Sequence, residues 1–243
     1  MSAADGRATI LARLAALPAA GQPVMPRAPG PAAPTAHGDA ASLSQRFVQA
    51  LERVHATWEM VESPVVARMM LATRLQEQGV KRVLSWTASQ LPVAGALEAL
   101  EVLGIEVITP ALPLADARLR PQDLDVRRRY LLGIESVAVG LTGADAAFAA
   151  TGTLLLQHGP GRPLLVSELP RRHIVLLAAS RIVPSLESWL ATRARPTGQP
   201  AQTSPISTLL TGPSRSDDIE ATPAFGVHGP GKLHVMVIRE ERG

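Results

Sequence analysis

Apolar positions recur at helical spacing in the first third of the chain, then gather into short continuous runs separated by helical stretches. Ile10, Leu11, Leu14 and Leu17 share one face of a helix over 5–17, with Asp5 as its cap. Pro23, Pro26, Pro29, Pro31 and Pro34 break the pattern over 18–41. The expected organisation is therefore an N-terminal helical arm and Pro/Ala-rich linker over 1–41, followed by one packed domain over 42–243. Leu43, Phe47, Ala50, Leu51 and Val54 predict a second helix. Ser63-Pro64 supplies an N-cap and an N1 proline for a third, which runs to Gln78 and stops at Gly79.

From residue 82 the pattern alternates. Strands are expected at 82–86, 105–109, 136–141, 153–156, 163–166, 174–178, 206–210 and 233–238. Helices are expected at 93–103, 124–132 and 184–195, with 180–183 leading into the last and 196–205 forming a polar loop. Continuous apolar strands alternating with helices predict an α/β fold with a mostly parallel central sheet flanked by helices. In such a fold the loops at the carboxyl ends of the strands hold the ligand. No internal repeat is present.

Composition narrows the classes of function. Hydrophobic residues make up 46% of the 243 and aromatics only 3%, so the core must be aliphatic. The net charge of +3 and pI near 10.1 reflect arginine, since lysine occurs only at Lys81 and Lys232. The densest basic cluster is Arg127-Arg128-Arg129, with no aromatics interleaved for stacking, which argues against nucleic acid as a partner. There is no cysteine, which excludes disulfides, thiol nucleophiles and cysteine-ligated clusters or zinc in this chain. No apolar run approaches the roughly 20 residues of a membrane span. Asp5, Arg7 and Arg13 interrupt the N-terminal Ala/Leu pattern, so it does not read as a secretory signal, and the expected location is cytoplasmic.

Three small-residue turns carry the candidate chemistry. Thr142-Gly143-Ala144-Asp145 follows a strand; Ala149 to Thr153 precedes another; and Gly212-Pro213-Ser214-Arg215-Ser216 opens a stretch ending in Gly226-Val227-His228-Gly229-Pro230-Gly231. Small residues let the backbone approach a ligand, and their N–H groups with an arginine can cradle an anion. The candidate ligand-binding residues are Thr142, Gly143, Asp145, Thr151, Gly152, Thr153, Gly212, Ser214, Arg215, Asp218, Glu220 and His228. The three turns are expected to converge on one cleft, with Arg215 holding an anionic ligand or one of Asp217, Asp218 and Glu220. Taken singly, the first two read as ordinary β-turns sooner than as sites, and the third reads equally as a tight hairpin-like connection with a solvated acidic face.

Other constellations are weaker. The chain has neither a dinucleotide fingerprint nor a Walker loop, and no cofactor is expected. His228, His234 and Glu220 fit no metal-ligand spacing, so no metal is expected either. His158 sits at a hairpin tip and reads as solvated, while His173 begins a strand and could line the cleft. No Ser-His-Asp order or G-x-S-x-G elbow occurs.

G-L-T-G-A-D at 140–145, A-T-G-T-L-L-L at 150–156, L-P-R-R-H-I at 169–174, R-I-V-P-S-L at 181–186, and G-P-S-R-S-D-D-I-E with G-V-H-G-P-G within 212–231 resemble the lactate utilization protein C family of LUD-domain proteins. The motifs stand in the family's order and cover roughly residues 45–239. The resemblance implies a fold related to the phosphosugar isomerase and CoA-transferase superfamily. It also implies a part in oxidising L-lactate to pyruvate beside partner proteins that carry iron–sulfur clusters, a division of labour with which the absence of cysteine agrees. On that reading the chain is a non-redox subunit binding a small carboxylate or phosphate. The related folds also admit a stand-alone enzyme acting on a CoA ester or sugar phosphate, and a binding module without chemistry is a third reading. One position departs from the family: Ala150 stands where an acidic or polar residue usually precedes T-G-T. If that acid does chemistry in relatives, the role here is lost or has moved to Glu220 or Asp145.

Overall fold

A computed structural model describes residues 40–111, 121–193, 206–216 and 224–239. The expected N-terminal helix over 5–17, most of its linker and the polar loop over 196–205 lie outside the described residues. Helix α1 (Ala40–Arg53) buries Phe47, Val48, Ala50 and Leu51 and leads into strand β1 (Thr57–Val61). Helix α2 (Pro64–Glu77) begins as its sequence dictates. The Ser63 hydroxyl accepts a hydrogen bond from the Val66 amide at 3.3 Å, Pro64 occupies the first turn, and Ala67, Leu71, Ala72 and Leu75 face the core.

Then come β2 (Arg82–Ser85), a 3-10 turn at Ala88–Gln90, α3 (Ala96–Val102), β3 (Glu106–Ile108), α4 (Pro121–Ile134) and β4 (Val139–Gly143). They are followed by β5 (Ala146–Phe148), β6 (Thr153–His158), α5 (Leu165–Glu168), β7 (Arg172–Ala178), a 3-10 turn at Ala179–Arg181 and β8 (Ile182–Val183). The described elements end with α6 (Leu186–Arg193), β9 (Ile206–Leu210), β10 (Arg215–Ser216), β11 (Ala224–Phe225) and β12 (Lys232–Ile238).

Six strands pair in the order β1-β12-β7-β4-β2-β3, every pair parallel, to form the central sheet. Its middle strands are buried on both faces, which is why β7 and β12 read as near-continuous apolar runs. The expected α/β architecture is thus present. The strands over 153–156 and 206–210, read from sequence as members of the same set, instead pair antiparallel as β6 and β9 in a second sheet of order β8-β5-β6-β9.

Two local readings change. Residues 163–166, expected as a strand, turn instead into α5: Pro163 has no amide to give a ladder, and the Ser167 hydroxyl donates back to the Leu164 carbonyl at 2.9 Å. Strands β1 and β5 were not legible. Ala146-Ala147-Phe148 has little intrinsic strand preference and is held extended by β6 on one side and β8 on the other.

The turn of α5 presses on the sheet at Gly140, where an added Cβ would stand 2.0 Å from the Val166 carbonyl oxygen. Below the same strand, Thr142 Oγ1 and His173 Nε2 bond across β4 and β7 at 2.8 Å, both fully buried. Burial strips water from the His173 imidazolium, with neighbouring His158 as a smaller cause, and pushes its pKa down to about 3.

Two outcomes follow from this packing. Gly140→Ala should lower unfolding free energy by about 3 kcal/mol, because backbone rather than a flexible side chain must move; a loss under about 0.5 kcal/mol in urea titration would contradict the contact. His173 is neutral in the fold between about pH 3 and 6.5, while its unfolded counterpart binds a proton below about 6.5. The unfolded state therefore gains protons as pH falls through that window, and stability drops. Urea midpoints at pH 7 and 4.5 should show His173→Gln losing less on acidification than the parent, by up to about 1.4 kcal/mol per pH unit. Some acid slope should persist, since burial lowers the pKa of His158 and His234 as well. Equal acid losses in the two proteins would count against a neutral buried His173.

Candidate functional site

The chain leaves β2 for β3 on one side and returns through α4 to place β4 on the other, so the connections diverge between β2 and β4. At such a reversal the carboxyl ends of the strands part and leave a crevice. A cavity of about 160 Å³ lies there, lined by Trp86 beyond β2, Ser89 and Gln90 of the first 3-10 turn, and Leu91 and Pro92. Gly143 at the end of β4, Ala144 and Asp145 beyond it, Arg162, and Ala178 and Arg181 at and after the end of β7 complete it.

Asp145 is fixed on three sides. Its amide donates to the Leu155 carbonyl at 2.8 Å, Oδ2 accepts from the Gln157 amide at 2.8 Å, and Oδ1 pairs with Arg162 Nη1 at 2.7 Å. Arg162 in turn donates from Nε to Gln90 Oε1 at 2.5 Å, and its guanidinium lies over the Trp86 ring, 5.4 Å from the centroid. The loop carrying Arg162 is pinned to the strand end after β2, because the Gly161 carbonyl accepts from the Thr87 amide at 2.9 Å. Arg181 is different. It is exposed at the rim, its recorded contact is a 3.4 Å donation from Nη1 to the Asp145 carbonyl, and it has no carboxylate partner among the described residues.

His158 is a correction to the sequence reading. It is not solvated at a hairpin tip but 4% exposed, edge-on to Trp86 with centroids 6.2 Å apart and bonded to Thr208 Oγ1 at 2.9 Å. The hairpin folds back onto Thr87, which closes solvent away from the ring. Desolvation lowers its pKa, so the ring behind Trp86 is neutral at pH 7.

The sequence candidates divide between places. Gly143 and Asp145 line the cavity, while Thr142 points its hydroxyl inward to His173. Thr151, Gly152 and Thr153 lie at the other end of the antiparallel β5–β6 hairpin, roughly 14 Å from Gln157 at about 3.4 Å per residue along β6. There Thr151 Oγ1 is 2.7 Å from Thr153 Oγ1, which is 2.8 Å from Thr211 Oγ1. Thr153 thus meets Thr211 beside Gly212, at the opposite end of the antiparallel hairpin from Asp145.

Gly212 sits against the end of α1 at φ +77, where a Cβ would lie 2.3 Å from the Val54 carbonyl oxygen. The Ser214 amide donates to the Pro230 carbonyl at 2.8 Å, Arg215 lies opposite Phe225 in the β10–β11 pair, and His228 is exposed. Asp217, Asp218 and Glu220 lie outside the described residues. Ala150 is exposed, with its amide bonded to the Pro184 carbonyl at 3.0 Å. Among the described residues no group of three His, Cys, Asp or Glu gathers as metal ligands, and no helix is long and apolar enough to cross a membrane.

Sequence reasoning missed Trp86, Gln90, Arg162 and Arg181. They come from three separate segments, 86–90, the loop at 162 and the turn at 181, and no spacing along the chain relates the three. The one available signal was that Arg181 and Arg162 follow the ends of apolar runs, where ligand-facing loops begin.

The LUD domain family model matches residues 44–238. Lactate utilization protein C of Geobacillus sp. (strain WCH70) is 33% identical over 118 residues, which are 49% of this chain and 49% of that protein. The chain thus spans about half the length of that relative. Lactate utilization protein C of Shouchella clausii (strain KSM-K16) is 28% identical over 188 residues, 77% of this chain and 75% of that protein. A solved DUF162 family protein from Deinococcus radiodurans superposes with a TM-score of 0.51 at 21% identity, over 83% of this chain and 99% of that one, a likeness of fold. With the family match extending from α1 to the last residue of β12, the chain belongs to the LUD domain family.

Proposed function

We propose that this protein is a non-redox component of an L-lactate utilization system, and that it binds a small carboxylate in the cavity beyond β2, β4 and β7. The observation that carries the ligand reading is Arg181: an arginine without a carboxylate partner among the described residues, at the rim of a crevice where parallel strands part. Arg162 adds a second donor, since its Nη2 has no partner among the described residues once Nε and Nη1 are engaged. A carboxylate accepts two parallel N–H bonds from one guanidinium, which suits this arrangement.

The system-level reading comes from the names of the relatives, both lactate utilization protein C. Oxidising lactate releases an electron pair that side chains cannot store, and the chain has no cysteine to hold a cluster. Iron–sulfur partner proteins would then carry the electrons, in the cytoplasm, with residues 1–41 as an arm outside the LUD domain. The alternative, a stand-alone enzyme on a CoA ester or sugar phosphate, rests on likeness of fold alone, which is poor support for a function.

Calorimetric titration with pyruvate and L-lactate should give saturable binding to the parent protein. Arg181→Gln should weaken it roughly 10- to 100-fold, the worth of a charge-assisted hydrogen bond, with an unchanged melting temperature because the side chain is exposed. The purified chain should also leave an electron-accepting dye unreduced by lactate until cluster-bearing partners are added. Absence of saturable binding, or binding indifferent to Arg181, would overturn the site; dye reduction by the chain alone would overturn the non-redox role.

A further inference from the structure

Resting on that reading of the cavity as the ligand site, we infer that it selects monoanions and rejects dianions of similar size. Three of the lining side chains carry charge: Arg162, Arg181 and Asp145. Arg162 is paired with Asp145 at 2.7 Å, so its charge is already answered from within the protein. That leaves the charge of one guanidinium, Arg181, for a ligand. His158 adds none, because it is buried behind Trp86 and neutral.

A ligand with one negative charge finds a matching cation. The Ser89 hydroxyl, which contacts Thr87 Oγ1 at 3.4 Å and has capacity for a further bond, and Arg162 Nη2 can meet an uncharged polar end, such as a hydroxyl or a keto oxygen. A ligand with two negative charges brings the second toward Asp145, whose carboxylate lines the same cavity. Like charges within a few ångströms of one another repel strongly where water is partly excluded, and among the described residues no further cation lines the space to offset them. Selection by charge count therefore follows from the Asp145–Arg162 pair as much as from Arg181.

The test compares pyruvate and acetate with malonate and glycerol phosphate, by calorimetry at pH 8 and low ionic strength, on the full-length protein. Pyruvate should bind at least about tenfold more tightly than either dianion, a difference near 1.4 kcal/mol. Asp145→Asn removes the repelling charge and should narrow that ratio about tenfold. Should that variant fail to fold, Ser89→Lys adds a rim cation instead and should narrow the ratio likewise. Dianions binding as tightly as pyruvate to the parent would overturn the inference while leaving the site in place. A ratio unchanged in a folded variant would overturn charge count as its cause. Failure of every anion to bind would remove the site itself and this selectivity with it.

Discussion

The ion pair between Asp145 and Arg162 holds the cavity together. Their side chains are 12% and 29% exposed, so the pair is partly desolvated and each partner depends on the other. Through it the loop after β4, the loop after β6 and the turn after β2 become one rim, since Arg162 also reaches Gln90 and covers Trp86. Asp145 is held in turn by β6, accepting from the Gln157 amide and donating its own amide to the Leu155 carbonyl, which ties the second sheet to the carboxyl edge of the first. Loss of either charge would leave the other buried against apolar and aromatic surface. The three segments would then have no common anchor.

The glycine- and threonine-rich motifs serve a different end of the molecule. Thr151, Thr153 and Thr211 form a short chain of hydroxyl contacts where β6 meets β9, and Gly152 and Gly212 allow that junction to lie flat on the last turn of α1. A comparable brace joins β1, β12 and α2. Glu59 pairs with Arg74 at 2.6 Å, and His234 bonds to Thr57 at 2.8 Å while contacting both Arg74 and Glu59. The described contacts of both clusters join elements to one another. A turn rich in small residues is required wherever backbones pack closely, and ligand binding is only one reason for that.

Much of the fold was legible because the parallel sheet leaves a plain mark. Strands buried on two faces must be continuous apolar runs, and β7 and β12 are. Helix α2 announced itself through Ser63-Pro64, a local signal that owes nothing to distant contacts. What escaped was fixed by partners. Strand β5 is extended because two neighbours pair with it, and residues 165–168 turn helical as the loop folds over Gly140. The site was legible by half. Gly143 and Asp145 follow a strand end, which sequence can locate, whereas Arg162, Arg181, Gln90 and Trp86 come together only through the order of strands in the sheet. His158 illustrates the same limit: a polar residue beside Gly159-Pro160-Gly161 reads as solvated until the hairpin is seen to fold back on Thr87.

Small carboxylates are proposed to bind at the parting of β2 and β4 rather than at the threonine-lined junction beside α1. A crystal structure of the protein grown with pyruvate tests this most directly. Ligand density is expected in the cavity, with the carboxylate against the Arg181 guanidinium and the keto group toward Ser89 or Arg162. Density at Thr151, Thr153 and Thr211 instead, with the cavity holding only water, would contradict it.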